Sequence, residues 1–370
     1  MTTRRELLKA GALASAAAFL PRAAFADAAP STVFAPGVGR WRSFQIVTTV
    51  EILKPEGRVE AWLPVASFSN PDWFKPGDNS WTTNATSAKL VRDPRSGADM
   101  LHLVFAEGEK APRVELTSRA TTRDWSVDLA APGKPAPLSS DERMRNIAAT
   151  DLIPTDGIVK ATSDKITAGK AGEVEKVRAI FEWIVETTYR NAATRGCGIG
   201  DIAALLKSGD LGGKCADLNA LFVGLVRAAG IPARDVYGLR VVPSRFGYKS
   251  LGANSEIVTK AQHCRAEVFL SDFGWVPMDP ADVRKVMLEE PPGKLAIDDP
   301  KVAAARKALF GAWEGNWFAY NTAHDVALPG FDGPRLGFLM YPQAVSAGGL
   351  LDCLDPDTFK YVIRASEIAV

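Results

Sequence analysis

The segment GGKCADLNALFVGLVRAAGIPAR, residues 212–234, constrains this chain more than any other. Leu218, Leu221, Phe222, Leu225 and Val226 recur at helical spacing, which predicts a helix from Cys215 with an apolar stripe turned inward. Gly230 stands where a left-handed C-terminal cap belongs, and Pro232 prevents the helix from continuing. The Cys215 thiol is therefore fixed at a helix N-terminus, where unpaired backbone N–H groups and the dipole stabilise a thiolate. Gly212 and Gly213 permit the tight entry that this placement requires.

Beyond the helix, Val236 to Val242 alternates as a strand, and after a polar stretch from Pro243 to Lys260 a second strand runs from Gln262 to Leu270. HCRAEVFL and WVPMDP flank the turn residues SDFG, the pattern of a hairpin. His263 and Asp279 are sixteen residues apart, an even number, so a symmetric hairpin centred near Ser271 puts both side chains on one sheet face. A left-handed Gly274 in the loop would shift that pairing along the strand, so the register stays open. A helix carrying a thiol against an antiparallel sheet carrying a histidine defines an α+β domain. A cysteine nucleophile needs a base in reach and the base needs an orienting acceptor; Cys215, His263 and Asp279 supply those residue types.

The stretches GGKCADLNALFVGLVRAAGIPARDVYGLRV and HCRAEVFLSDFGWVPMDP resemble the core of the transglutaminase-like family, a papain-like thiol fold. The resemblance rests on Gly-x-Cys at a helix start, Gly-Ile-Pro-Ala-Arg entering a strand, His followed by Ala-Glu-Val, and Gly-Trp-Val before Pro-x-Asp-Pro. It covers roughly residues 170 to 285. It implies Cys215 as nucleophile, His263 as general base and acid, and Asp279 as its orienting partner. Arg265 departs from the pattern, since many members carry Trp two residues after the histidine; this bears on the acyl pocket.

The rest of the chain sorts around that core. Residues 1–26 have a charged start, an apolar run from Ala10 to Leu20 and small residues at Ala24 and Ala26, the signature of a cleavable export signal. Arg4 and Arg5 resemble the twin-arginine class, which implies a periplasmic destination and no stable membrane insertion after cleavage. Alternating β-branched and aromatic residues over 38–130 predict an all-β sandwich, with Trp125, Val127 and Leu129 as its closing strand. A Pro- and Ser-rich linker follows at 131–142, the transglutaminase-like domain at 143–325, and C-terminal strands packed on that core at 326–370.

A formal net charge of +1 and a pI near 7.6 give no basic excess of the kind that binds nucleic acid. No pair among Cys197, Cys215, Cys264 and Cys353 has metal-ligand spacing, so neither a metal nor a cofactor is expected. His102 alternates with Leu101 and Leu103 and is expected to face solvent. His324, among aromatics and Asn321, is a cleft candidate for which packing is the stronger reading. Asp217 suits the helix dipole without a catalytic role.

These residues define a thiol enzyme forming an acyl-enzyme from a peptide or protein amide, more readily hydrolytic than cross-linking. One alternative is a catalytically idle protein whose cleft binds peptide; the intact trio opposes it. Another is a thiol redox protein pairing Cys197 with Cys215, which no C-x-x-C spacing supports. Whether water or an amine takes the acyl group, and the oligomeric state, stay open.

Overall fold

The strand Arg42–Ile52 shows how the two halves of the protein join. Its buried residues alternate as the sequence predicts, but they serve two cores: Phe44 and Ile46 pack with the α+β core, Val50 and Ile52 with the sandwich. The computed structural model describes residues 33–347, 349–355, 357 and 359–369, so the export signal at 1–26 lies outside the described residues.

Two antiparallel sheets enclose the sandwich core. One runs in the order Phe359–Ile368, Arg42–Ile52, Arg113–Thr122, Phe74–Thr83; the other in the order Gly349–Leu350, Gln343–Ser346, Glu60–Pro64, Asp99–Val104, Ser87–Arg92. Between them lie Val59, Ala61, Leu63, Leu101, Leu103 and Phe105 with Val114 and Leu116. The C-terminal strands, expected on the core, pair here instead: Phe359–Ile368 with Arg42–Ile52, and Gln343–Ser346 with Glu60–Pro64. Each covers a strand edge that would otherwise present unpaired backbone groups. Tyr341, Ile363 and Ala365 from the same tail do reach the α+β core. The closing strand expected at Trp125–Leu129 is two residues long, Trp125–Ser126, and pairs with Ala312–Trp313.

Seven helices are described: α1 (Ser140–Ile147), α2 (Gly157–Thr167), α3 (Glu173–Thr187), α4 (Ile202–Ser208), α5 (Cys215–Ala228), α6 (Pro280–Glu289) and α7 (Pro300–Ala308). The core sheet is antiparallel, ordered Gly274–Met278, Gln262–Leu270, Ala233–Arg240, Trp317–Asn321. Helix α5 lies against it, with α2, α3 and α6 around the remaining sides. Every α5 residue except Asp217 is buried, so the helix is wrapped rather than half-exposed. Gly224 makes that possible: a Cβ there would lie 2.2 Å from Ile202 of α4. Gly230 takes φ +82, the left-handed stop that the sequence predicts. Among the described residues, no helix is long and apolar enough to cross a membrane.

Candidate active site

Cys215 is the first residue of α5, and the loop before that helix is tied down by one carboxylate. Asp217 accepts from Ile199 and Gly200 N–H at 2.9 and 3.0 Å through Oδ1 and from Lys214 N–H at 2.9 Å through Oδ2. The dipole reading of Asp217 is thus incomplete, because its side chain also folds back to order the 196–200 loop. Glycine is required for this: a Cβ at Gly198, which has φ +96, would lie 1.9 Å from that carboxylate, and one at Gly213 2.5 Å from Asp217 Cβ. The loop in turn delivers Cys197, whose carbonyl accepts from Ala216 N–H at 2.9 Å.

The hairpin places the other two residues. Its register pairs Leu270 with Gly274 and Ala266 with Met278, and Gly274 has φ +73, so the turn is centred at Asp272. Continuing that register puts Asp279 across from Arg265, one diagonal step from His263 on the same face. Asp279 then ends the strand and caps α6 ahead of Pro280, the favoured first helical residue. Its two oxygens divide the work. Oδ1 accepts from Asp282 N–H at 3.1 Å and from Asn219 Nδ2 at 3.1 Å, while Oδ2 lies 2.7 Å from His263 Nε2. With Nε2 engaged, Nδ1 is the ring nitrogen left for Cys215, and the neighbouring His263 helps to lower the pKa of that thiol.

Asn219, one turn along α5 from Cys215, locks the helix to the hairpin. Its Nδ2 also donates to Cys264 O at 2.9 Å and its Oδ1 accepts from Ala281 N–H at 3.2 Å. Behind the histidine stands a second carboxylate: Asp282 Oδ2 is 3.4 Å from His263 Nε2, and both Asp282 oxygens accept from Arg240 at 2.6 and 2.7 Å. Neither Arg240 nor Asp282 is among the residues singled out by sequence; the signal for Asp282 was a helix-start Asp-Pro that sets it three residues after Asp279.

The electrostatics follow from these contacts. Burial and Arg240 push His263 down, but Asp282 and Asp279 outweigh them and raise it from 6.5 to about 9. The thiols of Cys197 and Cys264 beside Cys215 lower its pKa well below 9.0, aided by His263 and opposed by burial. Burial raises Asp282, yet Arg240 and then His263 hold it well below the usual carboxylate range. The Cys215 and His263 shifts both favour a thiolate beside an imidazolium. His263, Asp279 and Asp282 offer ligand atoms within 4.8 Å of one another; both Asp282 oxygens accept from Arg240, and Asp279 Oδ2 lies against His263.

The remaining candidates fall elsewhere. Arg265 lies behind Asp279 rather than in the acyl pocket: its Nη1 donates to Glu314 O at 3.0 Å and its guanidinium lies 4.9 Å from the Trp317 ring. His324 packs with Tyr237 and Asp235 and is not part of the cleft wall. His102, expected at the surface, is buried, bonded to Glu60 at 2.7 Å and stacked on Trp62, because the segment around Gly330 covers that face. All four cysteines are free thiols. Cys215 and His263 open onto a cleft of about 530 Å³, which Cys197, Tyr341 and Tyr361 also line.

This combination, a thiol at a buried helix start facing a hairpin histidine, is a transglutaminase-like core. A sequence model of the transglutaminase-like superfamily matches residues 160–280. An uncharacterized protein of Haemophilus influenzae is 33% identical over 338 residues, covering 86% of this chain and 89% of that one. Among solved structures, a candidate cysteine protease from Cytophaga hutchinsonii shares the fold with TM-score 0.52 and 14% identity, over 90% of this chain and 92% of that one. The periplasmic domain of TgpA from Pseudomonas aeruginosa, bound to ethylmercury, aligns with TM-score 0.34 and 16% identity over 73% of this chain and 79% of that one. The chain belongs to the transglutaminase-like superfamily and has a thiol-enzyme fold.

Proposed function

We propose that the protein is a cysteine hydrolase acting on peptide or protein amides, exported to the periplasm, with Cys215 as nucleophile, His263 as acid and base, and Asp279 as its orienting partner. The observation that carries this reading is the 2.7 Å contact of Asp279 with His263 Nε2, which leaves Nδ1 to the thiol at the start of α5. The thiolate adds to the amide carbonyl, and its oxyanion faces the Cys215 N–H at the helix start; Ala216 N–H is already committed to Cys197 O. The imidazolium gives its proton to the departing amine as the C–N bond breaks, leaving a thioester and a neutral imidazole. Water then gives a proton to His263 and its oxygen to the acyl carbon, and release of the carboxylic acid restores thiolate and imidazolium.

Water rather than an amine is favoured as acceptor by the cleft wall, which among the described residues carries cationic side chains and no carboxylate. A primary amine is itself a cation at neutral pH and is repelled there. Export rests on Arg4, Arg5 and the apolar run that follows, and four free thiols suit a chain that folds before export. Alkylation by iodoacetamide across pH tests the nucleophile. Selective labelling of Cys215 well below the pH at which free thiols react, lost in His263→Ala, is the expected result. A native Cys215 that reacts like an ordinary thiol would overturn the reading.

A further inference from the structure

The cleft that Cys215 opens onto has a charge bias that the chain as a whole lacks. The sequence holds 44 Lys and Arg against 43 Asp and Glu. Among the described residues, the cleft wall nevertheless contains Arg190, Arg195, Lys214, Arg240, Lys260 and Lys285, and not one carboxylate. These cations come from separate parts of the fold: the segment after α3, the glycine-rich loop, the residue before Cys215, two positions near the core sheet, and α6. Carboxylates behind the wall only partly offset them. Asp282 is taken by Arg240, Asp352 by Arg195, and Glu289 is shared between Arg190 and Lys285, the latter at 3.8 Å. Among the described residues no carboxylate forms an ion pair with Lys214 or Lys260.

Lys285 shows the bias at one position. Its side chain is 17% exposed, and burial, with Arg240 and Arg190, outweighs Asp282 and Glu289 and pushes its ammonium down to about 8. A charged, poorly hydrated group whose own carboxylates do not offset burial and two guanidiniums gains from the arrival of an anion.

We propose that this cleft takes an acidic peptide: an amide substrate with carboxylate side chains flanking the bond that Cys215 attacks. The inference rests on the reading of Cys215 as nucleophile, and it assigns the substrate class for that thiol. Carboxylates held by dispersed Lys and Arg groups also account for a wall built from several loops rather than one anion nest.

Binding separates the substrate class from the chemistry. In the full chain carrying Cys215→Ala, fluorescence anisotropy of a dansylated hexaglutamate amide is expected to show saturable binding that weakens as salt is raised. Adding Lys214→Gln, Lys260→Gln and Lys285→Gln is expected to weaken it about tenfold or more, and the Lys214→Gln, Lys260→Gln pair alone, which spares half-buried Lys285, by a smaller factor in the same direction. Dansylated hexalysine should not bind. The proposal is overturned if hexaglutamate fails to bind, if the triple substitution leaves its affinity unchanged, or if inorganic phosphate at matched ionic strength displaces it, which would assign the wall to phosphate. Iodoacetamide labelling of the unsubstituted protein reports the nucleophile independently, so an inert Cys215 and an indifferent cleft are distinct results.

Discussion

The chain has three histidines, and the side chain of each is packed against a carboxylate, yet they are not equivalent. The instructive comparison is His263 with His324. His263 lies 2.7 Å from Asp279, with Asp282 behind it, and the two carboxylates raise it to about 9. His324 lies 3.4 Å from Asp235, and burial with the nearby Arg227 lowers it to about 3. Asp235 is correspondingly raised to about 7 by burial. The first pair is an imidazolium among anions; the second is a neutral imidazole beside a carboxyl that keeps its proton up to about 7. A buried His–carboxylate contact therefore does not by itself define a reactive site. What distinguishes the two is the second carboxylate, held ionised by a buried arginine, and a thiol on the free side of the ring.

The largest expected difference is in turnover. His263→Gln should lower amide hydrolysis by about 10²- to 10⁴-fold, the usual contribution of a positioned acid–base group. His324→Gln should leave kcat within a few-fold, because that ring lies outside the cleft wall. Steady-state kinetics on both variants decides the matter, and equal losses would erase the distinction between the two sites.

Next in size is Asp282→Asn. It leaves the Arg240 guanidinium, 2% exposed, without its carboxylate, and breaking a buried pair in this way costs about 3–5 kcal/mol. Urea denaturation reads that loss. The same change removes one of the two anions that raise His263, so the alkaline limb of the pH–rate profile should move to lower pH.

Much of the reactive site was legible in the sequence, and the limits have identifiable causes. Cys215 at its helix start is specified locally by two glycines, an apolar period and a Gly-Ile-Pro stop. The parity of His263 and Asp279 also follows from sequence, but their pairing does not, since the turn is centred at Asp272 and sets Asp279 diagonal to His263. Asp279-Pro280 and Asp299-Pro300 are both N-cap and N1 pairs. The sequence reading places no helix after either, so α6 and α7 are missed, and with α6 the contributions of Asp282 and Lys285. The strand Phe74–Thr83 carries Pro, Gly and Asp and a bulge between Pro76 and Asn79, so no period of two announces it. The tail strands join strands roughly three hundred residues away in sequence, a pairing that no local pattern encodes.

The smallest effect, and the one that tests the comparison most directly, is the dependence of stability on pH. At His263 the folded state holds its proton to about 9, whereas the unfolded chain loses it near 6.5. Its stabilising contribution is thus complete below 6.5 and is lost as pH rises through about 9. At the other site two effects oppose each other. Between 3.8 and 6.5 the unfolded chain carries one proton on His324, and the folded chain carries one on Asp235. The proton counts match, so the wild-type pair contributes no slope in that interval. His324→Gln removes one side of the balance and should expose Asp235 alone, with stability falling as pH rises from 3.8 towards 7. His263→Gln should leave the acid interval unchanged and flatten the loss between 6.5 and 9. Urea midpoints measured across pH for the two variants should therefore differ in opposite intervals. If both lose the same limb, the two buried histidines titrate alike and the electrostatic contrast between the sites is wrong.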